Sequence, residues 1–393
     1  MRNAHFITGF GKVLFFAKVA LHVAARYAGK PGAFRWSPLA YLRFLARALQ
    51  LLLVFQHNKV VRVPNGYKFQ LYLPAYPSPA FFYALESKLL RTPPAPITIV
   101  LSMTKACPYR CGHCYQHLDG GADLDEARLI DTAQRIQQLG VAMFDIEGGE
   151  PFVRYPRLLR LLQALDARSE LWVNTTGAHL HAEMLCELKA AGLFGVMVSI
   201  HSPDPAAHDA FTGVPGSFAT ACQAVQMCRA QGLVTALNSV LAEEDVRTGG
   251  VDRLMELARA MDCDYVQLIH PKRAGSWLGH TAGMQQACEV LACIEQAHVR
   301  YNSRARHDYP SLAAQVYEER ADTAGCTAGG IDRFYVNAHG EVQPCEFVNI
   351  SFGNVQEEPF EVIFARLRAC FPTPCCDWLC CQHADEIQAA LAA

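Results

Sequence analysis

No aspartate or glutamate occurs in this 393-residue chain before Glu86. Eleven basic residues stand ahead of it: Arg2, Lys12, Lys18, Arg26, Lys30, Arg35, Arg43, Arg47, Lys59, Arg62 and Lys68. Removing them from the 35 Lys and Arg leaves 24 basic against 37 acidic groups, so the remainder carries −13 while the whole nets −2. Such segregation predicts that the N-terminal region meets something anionic. Also missing is any run of ~18 uninterrupted apolar residues, the length of a transmembrane helix. "VLFFAKVALHVAA" and "ALQLLLVF" are too short or too interrupted. Lys12 and Lys18 break the first apolar run and no small-residue cleavage site follows, which argues against secretion. The sixteen cysteines lack the spread of a disulfide framework. They form one tight triplet, a scattered middle set and a dense C-terminal run, a pattern suited to metal binding in a reducing compartment. The expected location is the cytoplasm, with peripheral attachment to the inner face of the membrane left open.

Residues 1–90 read as a basic, apolar accessory region of helices plus a hairpin. In "WSPLAYLRFLARALQLLLVFQ", Ser37 supplies an N-cap and Pro38 the first helical position. Arg43, Arg47 and Gln50 form its one polar stripe. "NKVVRVPNGYKFQLYLP" reads as a hairpin turning at Asn65-Gly66. These helices either pack on the body of the protein or lie on a membrane surface through residues 1–58. Over residues 97–300, six strand-like runs alternate with helical stretches: "ITIVLSM", "VAMFDIE", "ELWVNTT", "GVMVSIH", "VTALNSVL" and "YVQLIHP". Repeated βα units predict an α/β fold, a partial (βα)6 TIM-type barrel, with its chemistry at the C-terminal ends of the strands. Residues 300–325 read as a connection and 326–393 as a small cysteine-rich domain.

The stretch "ACPYRCGHCYQ" places Cys107, Cys111 and Cys114 directly after the first barrel strand, with no fourth cysteine at hand. A structural zinc site or an ordinary [4Fe–4S] cluster takes four protein ligands. One loop with these spacings can wrap three corners of an iron–sulfur cube and leave one iron open to a chelating molecule. The triplet resembles the Cx3CxΦC signature of the radical S-adenosylmethionine (radical SAM) superfamily, with His113 in the Φ place where an aromatic is more usual. The resemblance implies that the methionine amino and carboxylate groups of S-adenosylmethionine fill the open position. The competing reading is a zinc site that borrows a distant cysteine. Further along, Gly148-Gly149-Glu150-Pro151 closes the second strand. Its glycines would let backbone approach a ligand, and Glu150 could accept from the ligand's ammonium, as the superfamily's GGE element implies. Ser199 and His201 end the fourth strand and Asn238 lies on the fifth. They are candidate cosubstrate contacts or ordinary strand-end polar groups. Thr176 stands where the superfamily commonly has an asparagine and is given no role.

The C-terminal region, "CTAGGIDRFYVNAHGEVQPCEFVNISFGNV", resembles the SPASM/Twitch extensions of radical enzymes through Cys326, Gly340, Cys345 and the Gly353-Asn354 turn. The family's later Cx2C run is replaced here by "ACFPTPCCDWLCC", with Cys370, Cys375, Cys376, Cys380 and Cys381. Cys326, Cys345, Cys375, Cys376, Cys380 and Cys381 are candidate ligands of one auxiliary [4Fe–4S] cluster, with His383 as a non-cysteine alternative for a second and zinc as a competing metal. Cys186, Cys222, Cys228, Cys263, Cys288 and Cys293 fall on predicted helices or their edges and read as small buried hydrophobes.

The resemblance implies a reaction. A reduced [4Fe–4S] cluster cleaves S-adenosylmethionine to a 5′-deoxyadenosyl radical, which abstracts hydrogen from substrate; the electron comes from an external flavodoxin- or ferredoxin-like donor. The substrate is a small molecule, lipid or peptide. A lipid or other membrane-resident molecule is the first expectation, given the basic, apolar N-terminal region. A peptide-maturing enzyme is the alternative, since SPASM-type extensions often accompany peptide modification. A non-catalytic iron–sulfur or zinc regulator is the third. Nucleic acid is disfavoured because the basic residues are interleaved with bulky aliphatics.

Overall fold

The computed structural model describes residues 5–28, 37–272, 274–277, 288–320 and 322–373. Its N-terminal part contains β1 (Phe6–Ile7), helices α1 (Phe10–Ala28) and α2 (Pro38–Val54), the hairpin strands β2 (Val60–Val63) and β3 (Gly66–Lys68), and α3 (Pro79–Leu89). Ser37 caps α2 by accepting from Ala40 N, with Pro38 in the first turn, as the sequence pattern requires. The hairpin forms as foreseen but turns one residue earlier, at Pro64-Asn65, because Gly66 already pairs with Val63; β1 adds antiparallel to β2. Phe15, Phe16, Val19 and Val23 of α1, Phe44 and Leu52 of α2 and Phe81 and Leu85 of α3 share one core.

The main sheet has the order β10-β9-β8-β7-β6-β5-β4-β11-β12. Strands β4 (Thr98–Ser102), β5 (Met143–Glu147), β6 (Glu170–Thr175), β7 (Leu193–Ser199), β8 (Val234–Val240) and β9 (Tyr265–Ile269) are the six foreseen, and all pair parallel. Helices α4 (Glu126–Leu139), α5 (Tyr155–Gln163), α6 (Ala182–Ala190), α7 (Pro205–Thr212), α8 (Ser217–Ala230), α9 (Glu243–Arg247), α10 (Gly250–Ala260) and α11 (Cys288–Tyr301) follow the strands. This is the partial barrel of βα units. It is wider than six strands, because β10 (Ser311–Ala314) extends the β9 edge in parallel. That strand lies in the stretch expected to be a connection. Beyond the short α12 (Gln315–Glu318), β11 (Arg333–Val336) joins the opposite edge parallel to β4 and carries β12 (Val342–Gln343), and α13 (Phe360–Cys370) follows. The cysteine-rich region thus extends the barrel's own sheet.

Strand alternation sends every second residue inward. The lowest inward layer (Met143, Trp172, Met197, Ala236, Tyr265) packs with Val61, Val63 and Leu71 of the hairpin segment, which floors the barrel. Lys68 is fully buried there, 2.6 Å from Glu170 Oε1, and Glu170 also accepts from Trp172 Nε1 and Ala75 N. Lys59 is buried too, donating to the carbonyls of Arg306 and Tyr309 at 2.6 and 2.7 Å. These two cations therefore hold the N-terminal segment onto the barrel, and the anion that Lys68 meets is the protein's own Glu170. Lys18, Arg26, Arg43, Arg47 and Arg62 are exposed, whereas Arg2, Lys30 and Arg35 lie outside the described residues. Among the described residues no helix is long and apolar enough to cross a membrane.

Candidate active site

The cysteine triplet sits on the loop after β4, and several segments fix that loop. Arg110 N donates to Thr212 O and Gly112 N to Phe211 O, so the end of α7 holds the middle of it. Ser276 N and Ser276 Oγ both reach Cys114 O. Gly149 N donates to Thr104 O at 2.7 Å and Glu150 N to Ala106 O at 2.8 Å, joining the Gly-Gly-Glu turn to the approach to Cys107. The glycines serve this junction. A Cβ on Gly148 would stand 2.3 Å from Thr104 O, and one on Gly149 2.2 Å from Ala106 O. Backbone meets backbone here.

Glu150 is completely buried and its oxygens are engaged within the protein. Oε1 accepts from Thr175 Oγ1 at 2.7 Å and from Phe152 N at 3.1 Å; Oε2 accepts from Thr176 N at 2.7 Å and Thr176 Oγ1 at 2.6 Å. The side chain braces the turn against β6. Thr175 and Thr176 are thus site residues that sequence reasoning passed over. The available signal was a polar pair ending the strand beside the Gly-Gly-Glu turn.

His113 occupies an aromatic nest, with ring centroids 4.5 Å from His201, 4.7 Å from Phe211 and 5.8 Å from Trp277. Burial depresses its pKa to about 4, so it is a neutral ring that fills an aromatic's place. Its Nδ1 has no partner. His113, Gly148, Gly149, Ser199, His201 and Asn238 all line one cavity of about 120 Å³ in the barrel mouth. His201 is buried, and its Nδ1 accepts from Val240 N at 3.3 Å. Asp145, Glu147, Asn174, Glu346 and Tyr72 line the same cavity and had not been singled out. Burial, then Glu346, raises Asp145 to about 7; burial and Asp145 raise Glu147 well above the usual carboxylate range. Tyr72 also borders a second cavity toward the barrel base, where it meets Leu51 and Phe55 of α2, and Gln267 Nε2 donates to its Oη at 2.5 Å.

The donor set suits an iron–sulfur cluster. Cys107, Cys111 and Cys114 are free thiols; burial, then Glu150 and Cys114, raises Cys107 to about 11, and burial, then Cys107 and Cys114, raises Cys111 to about 12. Three thiolates so placed need a cationic centre among them. Among the described residues no group of three or more His, Cys, Asp or Glu side chains could hold a single ion. A cube that takes one thiolate per iron needs ligands set further apart. Cys326 and Cys345 are buried in one small cluster beneath Phe347 and Ile350, with Arg333 near both. Cys375, Cys376, Cys380, Cys381 and His383 lie outside the described residues. Of the middle cysteines, Cys228 and Cys263 are buried as expected, whereas Cys186 and Cys293 are exposed.

Residues 101–245 match the radical SAM superfamily, and residues 326–371 match the SPASM iron–sulfur cluster-binding domain. The chain thus carries a radical SAM domain and a SPASM domain and is an iron–sulfur enzyme whose cofactors are a [4Fe–4S] cluster and S-adenosylmethionine; its SPASM extension implies auxiliary iron–sulfur clusters. It is similar to the AdoMet-dependent heme synthase of Nitratidesulfovibrio vulgaris, at 25% identity over 68% of this chain and 78% of that protein. It is also similar to the PqqA peptide cyclase of Streptomyces rochei, at 29% identity over 64% of this chain and 69% of that one. Among solved structures, Streptococcus suis SuiB bound to the precursor peptide SuiA aligns with a TM-score of 0.55 and 15% identity. That alignment covers 69% of this chain but 64% of SuiB, under two thirds of its length. Native anSMEcpe with bound AdoMet aligns with a TM-score of 0.54 and 14% identity, over 68% of this chain and 81% of that one. Likenesses at this level establish the shared fold.

Proposed function

We propose that this enzyme modifies a peptide, using radical chemistry to abstract hydrogen from a residue presented to the barrel mouth. The observation that carries this reading is the recurrence of peptides among its relatives. The similar sequences include PqqA peptide cyclases, and the similar folds include SuiB with its precursor peptide and anSMEcpe with peptides. This supports the peptide alternative over the lipid substrate that the N-terminal composition first suggested. When bound, the cluster and S-adenosylmethionine supply a 5′-deoxyadenosyl radical. The chain's own residues hold the cysteine loop (Gly149, Glu150, Ser276), keep His113 neutral beside it, and wall the cavity. On this reading His113, Gly148, Gly149, Ser199, His201 and Asn238 contact the cosubstrate, with Glu150 bracing their turn. Residues 97–300 form the radical core, 326–393 hold an auxiliary cluster, and a flavodoxin- or ferredoxin-like protein delivers electrons to this cytoplasmic enzyme.

A second reading has its own observation. Leu39, Leu42, Leu49 and Leu53 of α2 and Phe10, Val13, Leu14 and Leu21 of α1 are all exposed, beside the outward Lys18, Arg43 and Arg47. These helices suit peripheral attachment to an anionic membrane, where each Lys or Arg contributes about 1 kcal/mol. One experiment addresses both. Anaerobically reconstituted protein is incubated with S-adenosylmethionine, a reductant and either peptides encoded near its gene or anionic vesicles of the host's lipids. Mass spectrometry then follows 5′-deoxyadenosine and a substrate mass change. A modified peptide establishes the first reading; a modified lipid with no modified peptide overturns it.

A further inference from the structure

The cavity wall contains groups that the cysteine and Gly-Gly-Glu loops do not engage. Asp145 and Glu147 alternate along β5, so both point into the barrel, with Asp145 about 7 Å deeper. Asn174 Nδ2 donates to Glu147 Oε2 at 3.1 Å and to Asp145 Oδ2 at 3.4 Å, and Tyr115 Oη donates to Glu147 Oε1. Asp145 Oδ1 receives no hydrogen bond although the residue is only 2% exposed. Asn174 Oδ1 and Asn238 Oδ1, in the same wall, are also acceptors without a donor. Glu346 closes the opposite side, and among the described residues no Lys or Arg lines the cavity. The nearest cation, Arg333, is paired with Glu319 at 3.0 Å. Buried acceptors without donors are costly. The free oxygens of Asp145 and Asn174, neighbours on β5 and β6, call for a ligand that brings N–H groups to a carboxyl.

We propose that Asp145, with Asn174, binds a protonated primary amine of the substrate, carried by a lysine side chain or by the peptide's N-terminus. The proposal rests on the peptide reading and names the feature by which the cavity selects its peptide. An ammonium offers three N–H donors, enough for the free oxygens of Asp145 and Asn174, which already touch through Asn174 Nδ2. Asp145 lies two residues deeper along β5 than Glu147, so an amine held there sits at the inner part of the cavity. The groups facing Asp145 are Glu147, Glu346, Arg333 and Tyr72. Because burial and Glu346 keep Asp145 half-protonated near neutrality, an entering ammonium drives it to the carboxylate, and the displaced proton leaves to solvent.

The test is isothermal titration calorimetry on reconstituted holoenzyme saturated with S-adenosylmethionine, in two buffers of different ionisation enthalpy. The probes are Nα-acetyl-lysine methylamide, glycine methylamide and the neutral Nα-acetyl-norleucine methylamide. One amine probe is expected to bind at least tenfold tighter than norleucine, with buffer-dependent heat reporting proton release. The preferred amine identifies a side chain or an N-terminus. Asp145→Asn is expected to weaken that probe tenfold or more and abolish the buffer dependence, while Arg135→Ala on exposed α4 changes nothing. Equal binding of norleucine and both amines overturns the proposal on the wild-type protein alone, whether or not the Asp145 variant folds. Wild-type affinity in a folded Asp145→Asn protein overturns it as well. Amine binding without any modified peptide sinks the peptide reading and leaves the site; peptide modification with indifference to amines does the reverse.

Discussion

Replacing Gly149 by alanine tests the claim that the Gly-Gly-Glu turn serves the cysteine loop. The added Cβ would lie 2.2 Å from Ala106 O and 2.7 Å from Lys105 O, where contacts under 3.0 Å essentially never occur. The two loops must therefore part by roughly 1 Å, since no flexible side chain can yield. That breaks the bonds from Gly149 N to Thr104 O and from Glu150 N to Ala106 O, now 2.7 and 2.8 Å. At about 1 kcal/mol each, their loss removes about 2 kcal/mol of loop attachment, enough for more than a tenfold change in an equilibrium. Because Cys107 follows Ala106 directly, the loss falls on the cluster ligands. Gly149→Ala is expected to lower iron and sulfide content after reconstitution, to weaken S-adenosylmethionine binding at least tenfold, and to cut 5′-deoxyadenosine yield in proportion. Wild-type iron content together with wild-type cosubstrate affinity would refute the reasoning, because the loops would then tolerate separation.

Three further outcomes are expected. Lys68→Met leaves Glu170 buried without its cation and should lower unfolding stability by about 3–5 kcal/mol in urea, while the double variant with Glu170→Gln recovers more than half; a loss under 1 kcal/mol contradicts the pairing as drawn. Glu318 is raised by burial from the ordinary 4.5 to about 7, so its favourable contribution is complete below pH 4.5 and disappears as pH rises through 7. Melting between pH 5 and 7.5 should accordingly fall more steeply in the wild type than in Glu318→Gln, by up to about 3 kcal/mol, and parallel curves would exclude the assignment. Gly275 has φ +52° and its Cβ would meet Cys114 O at 2.2 Å, so Gly275→Ala should depress cluster content with little effect on global melting; full cluster content would separate this glycine from the cysteine loop.

Much of this architecture was readable from residue patterns, and the failures have physical causes. The six barrel strands are β-branched runs of the right length, each followed by a helical stretch, so β4 to β9 emerged directly. Strand β10, "SLAA", is three small side chains around one leucine, with no alternation, and reads as a connection until β9 supplies its partner. The spacing of Cys107, Cys111 and Cys114 was legible because the motif is local. Asp145 and Glu147 were not seen, although "FDIE" places two carboxylates at period two inside an apolar strand. That pattern signals inward charge, but only the closed barrel shows that the interior is where they meet Asn174. Which members of the basic N-terminal run meet the barrel was not legible either: the partners of Lys59 and Lys68 are a loop near residue 309 and Glu170, contacts too distant in sequence for composition to reveal.

Tyr72 gives the reaction chamber a divided ancestry. Its ring separates the cavity below the cysteine loop from the second cavity under α2, yet it comes from a segment that precedes the barrel. The rim and the floor of the chamber are thus written in separate stretches of chain. Substitutions around residues 69–73 can lengthen, shorten or reshape the space available to substrate while every residue that holds the cysteines stays as it is. A collection of variants confined to that stretch would therefore explore new substrates on an unaltered radical-generating end, and Tyr72→Ala, which joins the two cavities, is the natural first member.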